Sequence, residues 1–263
     1  MTPLLDVQHL TIAFEGPGSA LTVVDDVTLT MQAGETLGLV GESGSGKSVT
    51  ALAILRLLQP PGKVIGGQVL FEGRDLLRLT ESEMRAVRGG RISLIFQEPM
   101  TALNPTMRVG DQIAEALTSH GVGKGEARRR VVELLDAVRI TDAAKRSRDY
   151  PHQLSGGMRQ RVMIAIALAC RPPLVIADEP TTALDVTIQA QVLEMLRELK
   201  DRFNLALLLI THDFGVIAEM ADRVAVMRGG QLVEQGPVRQ ILRAPSHEYT
   251  QRLLRAVPGM SQR

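Results

Sequence analysis

Residues 41–48 constrain this chain more than any other stretch. Their sequence, GESGSGKS, fits the pattern G-x-x-x-x-G-K-[ST], in which a glycine-rich turn joins a strand to a helix. A short apolar run at 36–40 precedes the turn, and a longer apolar run at 49–58 follows it. The predicted strand and helix therefore lie where the pattern requires them, which argues against a chance match in an ordinary turn.

The residue types of this turn suit phosphate. Glycines lack a Cβ atom, so the backbone N–H groups can turn inward, and the positive end of the helix dipole adds to their attraction for an anion. The Lys47 ammonium can reach β- and γ-phosphates, and the Ser48 hydroxyl can ligate Mg²⁺. We therefore predict a site for a nucleoside triphosphate.

Composition narrows the class of protein. With 263 residues, 44% of them hydrophobic, the chain suits one α/β domain with two lobes. The 30 basic and 29 acidic residues leave a net charge of +1, which does not indicate a nucleic-acid partner. The single cysteine, Cys170, excludes an internal disulfide and fits a reducing, cytoplasmic setting.

Hydropathy argues against a membrane-spanning segment. No apolar run approaches the roughly 18 residues that a membrane helix needs. The N-terminus lacks the charged and apolar regions of a secretory signal. We expect a soluble chain that reaches a membrane only through a partner.

The segments before the turn read as strands, at 4–14 and 22–31. Several short strands ahead of the phosphate loop predict an antiparallel sheet beside the parallel one. Phe14 stands at the end of the first strand in a chain with only 3% aromatic residues. Its ring can stack on an adenine or belong to the core, and the spacing leaves both open.

Between 92 and 148 the sequence predicts one strand followed by helices. A strand at 92–96 ends at Gln97, where the side chain can point into a ligand crevice or be an ordinary loop amide. From 109 to 148 helices are predicted, with an apolar face at Val131, Leu134, Leu135 and Val138. The arginines at 128–130 lack interleaved aromatics, so a solvated helix face is favoured over nucleic-acid binding.

A second anion site is indicated just before the helix predicted at 159–170. Ser155 is a natural N-cap, and Gly156 and Gly157 expose the helix N–H groups. The alternative is a capped helix start without a ligand.

Two strand ends carry candidate catalytic groups. The apolar strand 174–177 ends in Asp178 and Glu179, and two consecutive acids there are costly unless metal or water uses them. Asp178 suits a Mg²⁺ shell and Glu179 suits polarising the attacking water; exposed acids are the alternative. The strand 205–210 ends before His212, predicted to lie beside the γ-phosphate rather than in a purely structural role.

Together these segments resemble the ATP-binding subunit of an ABC transporter, over essentially the whole chain. The phosphate loop, Gln97, LSGGM at 154–158, VIADEP at 175–180, ALD at 183–185 and His212 occur in the family's order. The resemblance implies a P-loop NTPase fold of the α/β class: a RecA-like parallel sheet, an N-terminal antiparallel β subdomain and an inserted helical subdomain. It implies a nucleotide-binding core at 1–97 and 163–263 and a helical subdomain at 98–162.

The resemblance also implies a mechanism with ATP and Mg²⁺. Two subunits stack head to tail, and each ATP lies between one phosphate loop and the signature of the other subunit, which is the LSGGM segment at 154–158. The implied catalytic residues are Glu179 as general base with His212, Gln97 and Lys47; the implied Mg²⁺ residues are Ser48, Gln97 and Asp178. The implied nucleotide residues are Phe14, Gly41, Ser43, Gly44, Ser45, Gly46, Lys47, Ser48, Val49, Ser155, Gly156, Gly157 and Asp185.

Three segments narrow the branch. Residues 98–105, EPMTALNP, look like the segment after the glutamine in oligopeptide, dipeptide and nickel importers, and Met158 suits the same branch. Residues 246–250 are similar to the branch's His-Pro-Tyr-Thr, with Glu248 in place of proline. The branch implies a paralogous second ATP subunit, two membrane permeases, an extracytoplasmic binding protein and a peripheral position on the cytoplasmic face of the inner membrane.

The main alternative is a soluble ABC ATPase of the iron–sulfur cluster assembly type. That type has a compatible length but is not expected to carry the Asn104-Pro105 segment. A non-hydrolysing ATP-gated module would need another residue in place of Glu179, and an exporter's ATP domain is often fused to membrane helices. Whether the cargo is a dipeptide, an oligopeptide or nickel stays open.

Overall fold

The computed structural model describes residues 2–16, 18–182 and 184–255. Ten strands are described: β1 Leu5–Glu15, β2 Ala20–Met31, β3 Thr36–Val40, β4 Gly62–Phe71, β5 Arg74–Asp75, β6 Ile92–Ile95, β7 Leu174–Asp178, β8 Ala206–Thr211, β9 Arg223–Arg228 and β10 Gln231–Pro237. Eleven α-helices are described: α1 Lys47–Ile54, α2 Glu81–Val87, α3 Pro99–Ala102, α4 Val109–Thr118, α5 Lys124–Ala137, α6 Ala143–Arg146, α7 Gly156–Leu168, α8 Val186–Phe203, α9 Phe214–Met220, α10 Val238–Arg243 and α11 Glu248–Arg255.

The chain forms two compact units. One comprises residues 1–84 and 206–263, and the other comprises residues 85–205. The predicted division into a core at 1–97 and 163–263 and a helical part at 98–162 remains a prediction.

The first unit contains an antiparallel sheet with the strand order β2-β1-β4-β5. Alternate residues of β1, such as Leu5 and Val7, are fully buried, as expected for a sheet with one face on the core. The register shifts after Val7 and restores burial at Leu10. This sheet confirms the antiparallel β subdomain predicted from the sequence.

The same unit contains the strand that leads into the phosphate loop. Strand β3 lies between β8 and β9 and is parallel to both, and β10 pairs antiparallel with β9. All five residues of β3 are buried. Strands covered on both faces read as apolar runs, which is why the sequence predicted β3 and β8 correctly.

The second unit holds a parallel strand pair and most of the helices. Strand β6 pairs with β7, with Ile95 opposite Ala177. The helices α3 to α7 lie between these strands in the chain, as expected for an inserted helical region. With the parallel and antiparallel strands of the first unit, they confirm the predicted fold class.

The structure corrects three details of the helices. Helix α1 ends at Ile54 rather than near 58, because Arg56 adopts a left-handed φ of 52°. Helix α7 begins at Gly156, directly after its cap, and ends at Leu168. Arg128 and Arg129 are exposed as predicted, but Arg130 is half-buried and donates to the Ala169 carbonyl at 2.6 Å, so its role is partly structural.

Within the described ranges, no helix combines the length and the apolar character that a membrane crossing requires.

The burial of β3 predicts a large stability effect. Leu39 is 0% exposed, so Leu39→Ala removes apolar contacts and leaves a cavity, and the free energy of unfolding falls by about 2–5 kcal/mol. Leu21 is 67% exposed, so Leu21→Ala changes it by about 0.5 kcal/mol or less. Urea denaturation of both variants checks the difference, and equal effects would contradict the described burial.

Candidate nucleotide-binding site

The phosphate loop depends on glycine at positions where its neighbours leave no room. Gly44 and Gly46 adopt left-handed φ values of 79° and 103°. A Cβ atom on Gly46 would lie 2.7 Å from Cε of Met227 and 2.9 Å from the carbonyl oxygen of Val23. A Cβ atom on Gly41 would collide with the carbonyl oxygen of Met227. The strands β2 and β9 therefore approach the loop closely enough to require Gly41 and Gly46, whereas at Gly44 the left-handed φ alone favours glycine.

Lys47 holds its ammonium group inside the loop. The side chain is 5% exposed, and Nζ donates to the carbonyl oxygens of Gly41 at 2.8 Å and Glu42 at 2.9 Å. A third contact joins Nζ to Oγ of Ser45 at 3.5 Å. The positive charge is therefore fixed within the turn rather than extended into solvent.

Helix α1 begins at this lysine and presents its N-terminus at the loop. Its N-cap, Gly46, has no side chain to bond the first backbone N–H groups. Ser48 and Val49 lie in the first turn and are half-buried. Such a helix end, with its dipole, can bind an anion.

His212 leaves the neighbouring strand at the same edge of the sheet. The register of β3 and β8 pairs Val40 with Thr211, so Gly41 and His212 each follow a paired residue. His212 is exposed, and Asp213 caps α9 by accepting from the Gly215 N–H at 2.7 Å. The first unit thus brings together the phosphate loop and the predicted γ-phosphate residue.

The second unit brings Gln97 and Glu179 together. Strands β6 and β7 pair, and these two residues follow them. Oε2 of Glu179 accepts from Nε2 of Gln97 at 3.1 Å and from the Thr182 hydroxyl at 2.8 Å. Glu179 adopts a left-handed φ of 46°, a strained conformation that non-glycine residues keep when their surroundings hold them. Two hydrogen bonds on one oxygen thus fix the direction of this carboxylate.

The donor atoms of the predicted metal residues fit Mg²⁺. Gln97 uses its amide nitrogen toward Glu179, so its amide oxygen takes no part in that bond. Asp178, the last residue of β7, contributes a half-buried carboxylate, and Ser48 contributes a hydroxyl. Mg²⁺ is a hard cation that prefers oxygen ligands and binds proteins through few of them.

The signature segment is an exposed helix start, as predicted. The Ser155 hydroxyl accepts from the Met158 N–H at 3.3 Å and caps α7. Ser155 and Gly156 are exposed, whereas a Cβ atom on Gly157 would lie 2.8 Å from Cγ2 of Ile188. The segment therefore presents backbone N–H groups at the surface and requires glycine at Gly157.

Two further predicted residues have clear local surroundings. Phe14 is half-buried near the end of β1, and its ring lies against Gly62, whose Cβ atom would be 2.9 Å from Cζ. One part of the ring is therefore covered and another part is accessible.

Asp185 is exposed and caps α8 by accepting from the Ile188 N–H at 3.0 Å. Ala183, within the ALD segment, lies outside the described residues.

Sequence reasoning missed three residues that support these groups. The Tyr249 hydroxyl accepts from the Glu42 N–H at 3.2 Å, and the Gly230 N–H donates to the Ser45 carbonyl at 3.0 Å. Thr182 bonds to Glu179, as described above. Thr182 could have been found because it lies three residues after Glu179. Nothing in the sequence places Tyr249 beside a residue 207 positions earlier.

Comparisons with known proteins agree on the family. A family model described as ABC transporter matches residues 24–182. The oligopeptide transport ATP-binding protein OppD of Salmonella typhimurium is 54% identical over 258 residues, covering 98% of this chain and 77% of that protein. A putative peptide import ATP-binding protein of Brucella abortus is 52% identical over 259 residues, covering 98% and 78%. The dimeric ATP-binding cassette MJ0796 bound to ADP and Pi gives a TM-score of 0.80 at 26% identity, covering 89% of this chain and 99% of that one.

The fold and the phosphate loop define a P-loop ATPase. This chain belongs to the ABC transporter family, of which it is an ATP-binding subunit. The resemblance stated from the sequence motifs is thereby confirmed. The comparisons give no support to the alternative of a soluble ATPase for iron–sulfur cluster assembly.

The position of Lys47 predicts its effect on binding. Lys47→Ala removes a buried ammonium that can donate charge-assisted hydrogen bonds to phosphate, so the Kd for ATP rises about 10- to 100-fold. Lys124→Ala removes an exposed lysine at the start of α5 and leaves the Kd within about twofold. Isothermal titration calorimetry with Mg²⁺ and ATP checks both variants. Unchanged affinity in Lys47→Ala would rule out this lysine as a phosphate ligand.

Proposed function

We propose that this chain is the ATP-hydrolysing subunit of an importer for di- or oligopeptides, peripheral on the cytoplasmic face of the inner membrane. The relatives at 52–54% identity are named as peptide import or oligopeptide transport proteins. The segment 98–105, which resembles that of the peptide and nickel branch, supports the same assignment. A peptide cargo is favoured over nickel because these relatives carry peptide names.

The proposal of ATP hydrolysis rests on one observation, the fixed orientation of the Glu179 carboxylate. Its Oε2 atom is bonded by Gln97 and Thr182, and its backbone is held in a left-handed conformation. A carboxylate held in this way can orient a water molecule and accept its proton as that water attacks the γ-phosphorus. Glu179 is therefore our general base.

We assign other residues to binding the triphosphate and stabilising its negative charge. Lys47 donates hydrogen bonds to phosphate oxygens, and His212 donates to the γ-phosphate as negative charge shifts in the transition state. Backbone N–H groups of residues 43–48 hold the phosphates, and the Phe14 ring stacks on the adenine. Ser48, Gln97 and, through water, Asp178 would hold Mg²⁺, which when bound neutralises charge on the β- and γ-phosphates.

The signature supports a paired arrangement of subunits. Its capped N-terminus is exposed at Ser155 and Gly156 and can bind an anion, and a Cβ atom on Gly157 would lie too close to Ile188. We assign this N-terminus to the ATP bound by the opposing subunit, and we place Asp185 beside the interface between the two subunits. The related cassette MJ0796 is described as dimeric with ADP and Pi, which supports a pair. The opposing subunit is a paralogue.

The remaining partners are two permeases and, through them, an extracytoplasmic binding protein. Phe96 and Met100 flank the strand-end glutamine and are 44% and 55% exposed, respectively. These two exposed apolar side chains are available to the apolar surface of a partner. We assign this surface to a cytoplasmic helix of a permease.

The role of Glu179 predicts a separation of binding from turnover. Glu179→Gln keeps the shape of the side chain but cannot accept the water's proton, so kcat falls by about 10²–10⁴ while ATP still binds and the ATP-bound pair accumulates. Glu219→Gln, an exposed glutamate of α9, leaves kcat within about twofold. Phosphate release by the assembled transporter and size-exclusion chromatography with ATP measure the two effects. Normal steady-state turnover in Glu179→Gln would remove this residue from the catalytic role.

The assignment of Ser155 predicts a defect that requires the partner subunit. Ser155→Arg blocks the exposed helix start, so the ATPase rate of the assembled transporter falls at least about tenfold, as for loss of an oxyanion-type donor. ATP binding by the isolated chain stays within about twofold, since its own phosphate loop is intact. Ser82→Arg, at an exposed serine of α2, serves as the control. A strongly raised Kd in the isolated Ser155→Arg chain would show that the signature serves its own nucleotide.

A further inference from the structure

The C-terminal helix reaches the phosphate loop through one side chain. Tyr249, the second residue of α11, is 4% exposed. Its hydroxyl accepts a hydrogen bond from the Glu42 N–H at 3.2 Å. Glu42 is the second residue of the loop, and its side chain is exposed, so it is the backbone that the tyrosine holds.

The β9–β10 hairpin contacts both the tyrosine and the phosphate loop. Arg228 ends β9, and its guanidinium lies 5.0 Å from the centroid of the Tyr249 ring. Two residues later, the Gly230 N–H donates to the Ser45 carbonyl at 3.0 Å. A Cβ atom on Gly230 would lie 2.8 Å from the Val23 carbonyl oxygen, so this close approach requires glycine. The tyrosine and the β9–β10 hairpin therefore hold the loop at two points.

The start of α11 is itself anchored to β10. The Glu234 carboxylate accepts from the Ser246 N–H at 2.6 Å, the Ser246 hydroxyl at 2.7 Å and the His247 N–H at 3.2 Å. Burial raises the pKa of Glu234, but these hydrogen bonds and the nearby Thr250 hydroxyl outweigh it, so the pKa lies below its usual value. Glu234 stays ionised at neutral pH and keeps its acceptors for the segment before Tyr249.

We propose that Tyr249 is a positioning residue for ATP binding, acting through the backbone of the phosphate loop rather than by touching the nucleotide. Its hydroxyl satisfies one N–H group of the loop and limits the conformations that the loop can adopt. A loop held in its binding conformation loses less freedom when phosphate binds, and affinity is higher as a result. This inference rests on the proposed function, since it concerns the same ATP site.

The direct test is Tyr249→Phe in the full chain. The ring beside Arg228 is kept and one hydrogen bond is lost, so the Kd and the KM for ATP rise about 2- to 10-fold. The kcat of the assembled transporter stays within about twofold, because a loop contact shared by ground and transition states affects KM and not kcat. Amide hydrogen exchange at Glu42 becomes faster, because this N–H has lost its acceptor.

The matched control is Tyr150→Phe, which removes the same oxygen atom from the other tyrosine. Tyr150 stacks on His152 at a centroid distance of 5.7 Å and lies 5.9 Å from the Arg108 guanidinium. Its replacement leaves the Kd for ATP within about twofold. A rise equal to that in Tyr249→Phe would overturn the proposal, because it would show a general effect of losing a hydroxyl.

Two further results would overturn the proposal: an unchanged Kd in Tyr249→Phe, or a fall in kcat and melting temperature without a change in KM. If Tyr249→Phe does not fold, Glu234→Gln decides, because it loosens the anchor and keeps the tyrosine. A raised Kd then supports the proposal, and an unchanged Kd overturns it. If the wild-type assembly binds ATP but does not hydrolyse it, the proposed function fails, while the Kd comparison still tests Tyr249.

Discussion

The backbone of the phosphate loop can turn its N–H groups toward an anion only because side chains are missing where neighbouring strands press against it. Gly46 combines a left-handed φ with contacts from Met227 and Val23 that exclude a Cβ atom. Within the same turn, the Lys47 ammonium donates hydrogen bonds to two loop carbonyls. Strand β3 and helix α1 fix the two ends of this loop. The proposed chemistry depends on this backbone shape, since a displaced loop would misplace both the lysine and the helix N-terminus.

The structure gives the two chemical groups of the second unit different kinds of support. Glu179 sits in a strained conformation, which costs of order 1–3 kcal/mol and persists only when the surroundings hold it. The Thr182 N–H donates to the Glu179 carbonyl at 3.3 Å, and side-chain bonds from Gln97 and Thr182 direct the carboxylate. The signature is supported by a single side-chain hydrogen bond, in which Ser155 caps α7 and leaves the helix start exposed. We propose that this exposed helix start serves an ATP bound by another subunit.

Local patterns predicted much of the fold and most of the candidate site. The strand, turn and helix around residues 41–48, the cap at Ser155 and the acids after β7 are each specified by residues that lie close together in the sequence. The antiparallel sheet also followed from short strands before the loop. Contacts between distant segments could not be predicted, because a local sequence pattern does not say which elements pack against each other. Tyr249 contacts Glu42, for example, across 207 residues. The end of α1 was predicted too late in the chain, because the left-handed turn at Arg56 contains no glycine or proline that would indicate a helix end.

We propose that one ATP is held by the phosphate loop of one subunit and the signature of the other. Amide hydrogen exchange with Mg²⁺ and ATP tests it most directly, measured on the isolated chain and on the transporter assembled with its partner subunits. We expect ATP to protect the amides of residues 43–48 in both samples, and those of residues 155–157 only in the assembly. Protection of 155–157 in the isolated monomeric chain, or its absence in the ATP-bound assembly, would contradict the account.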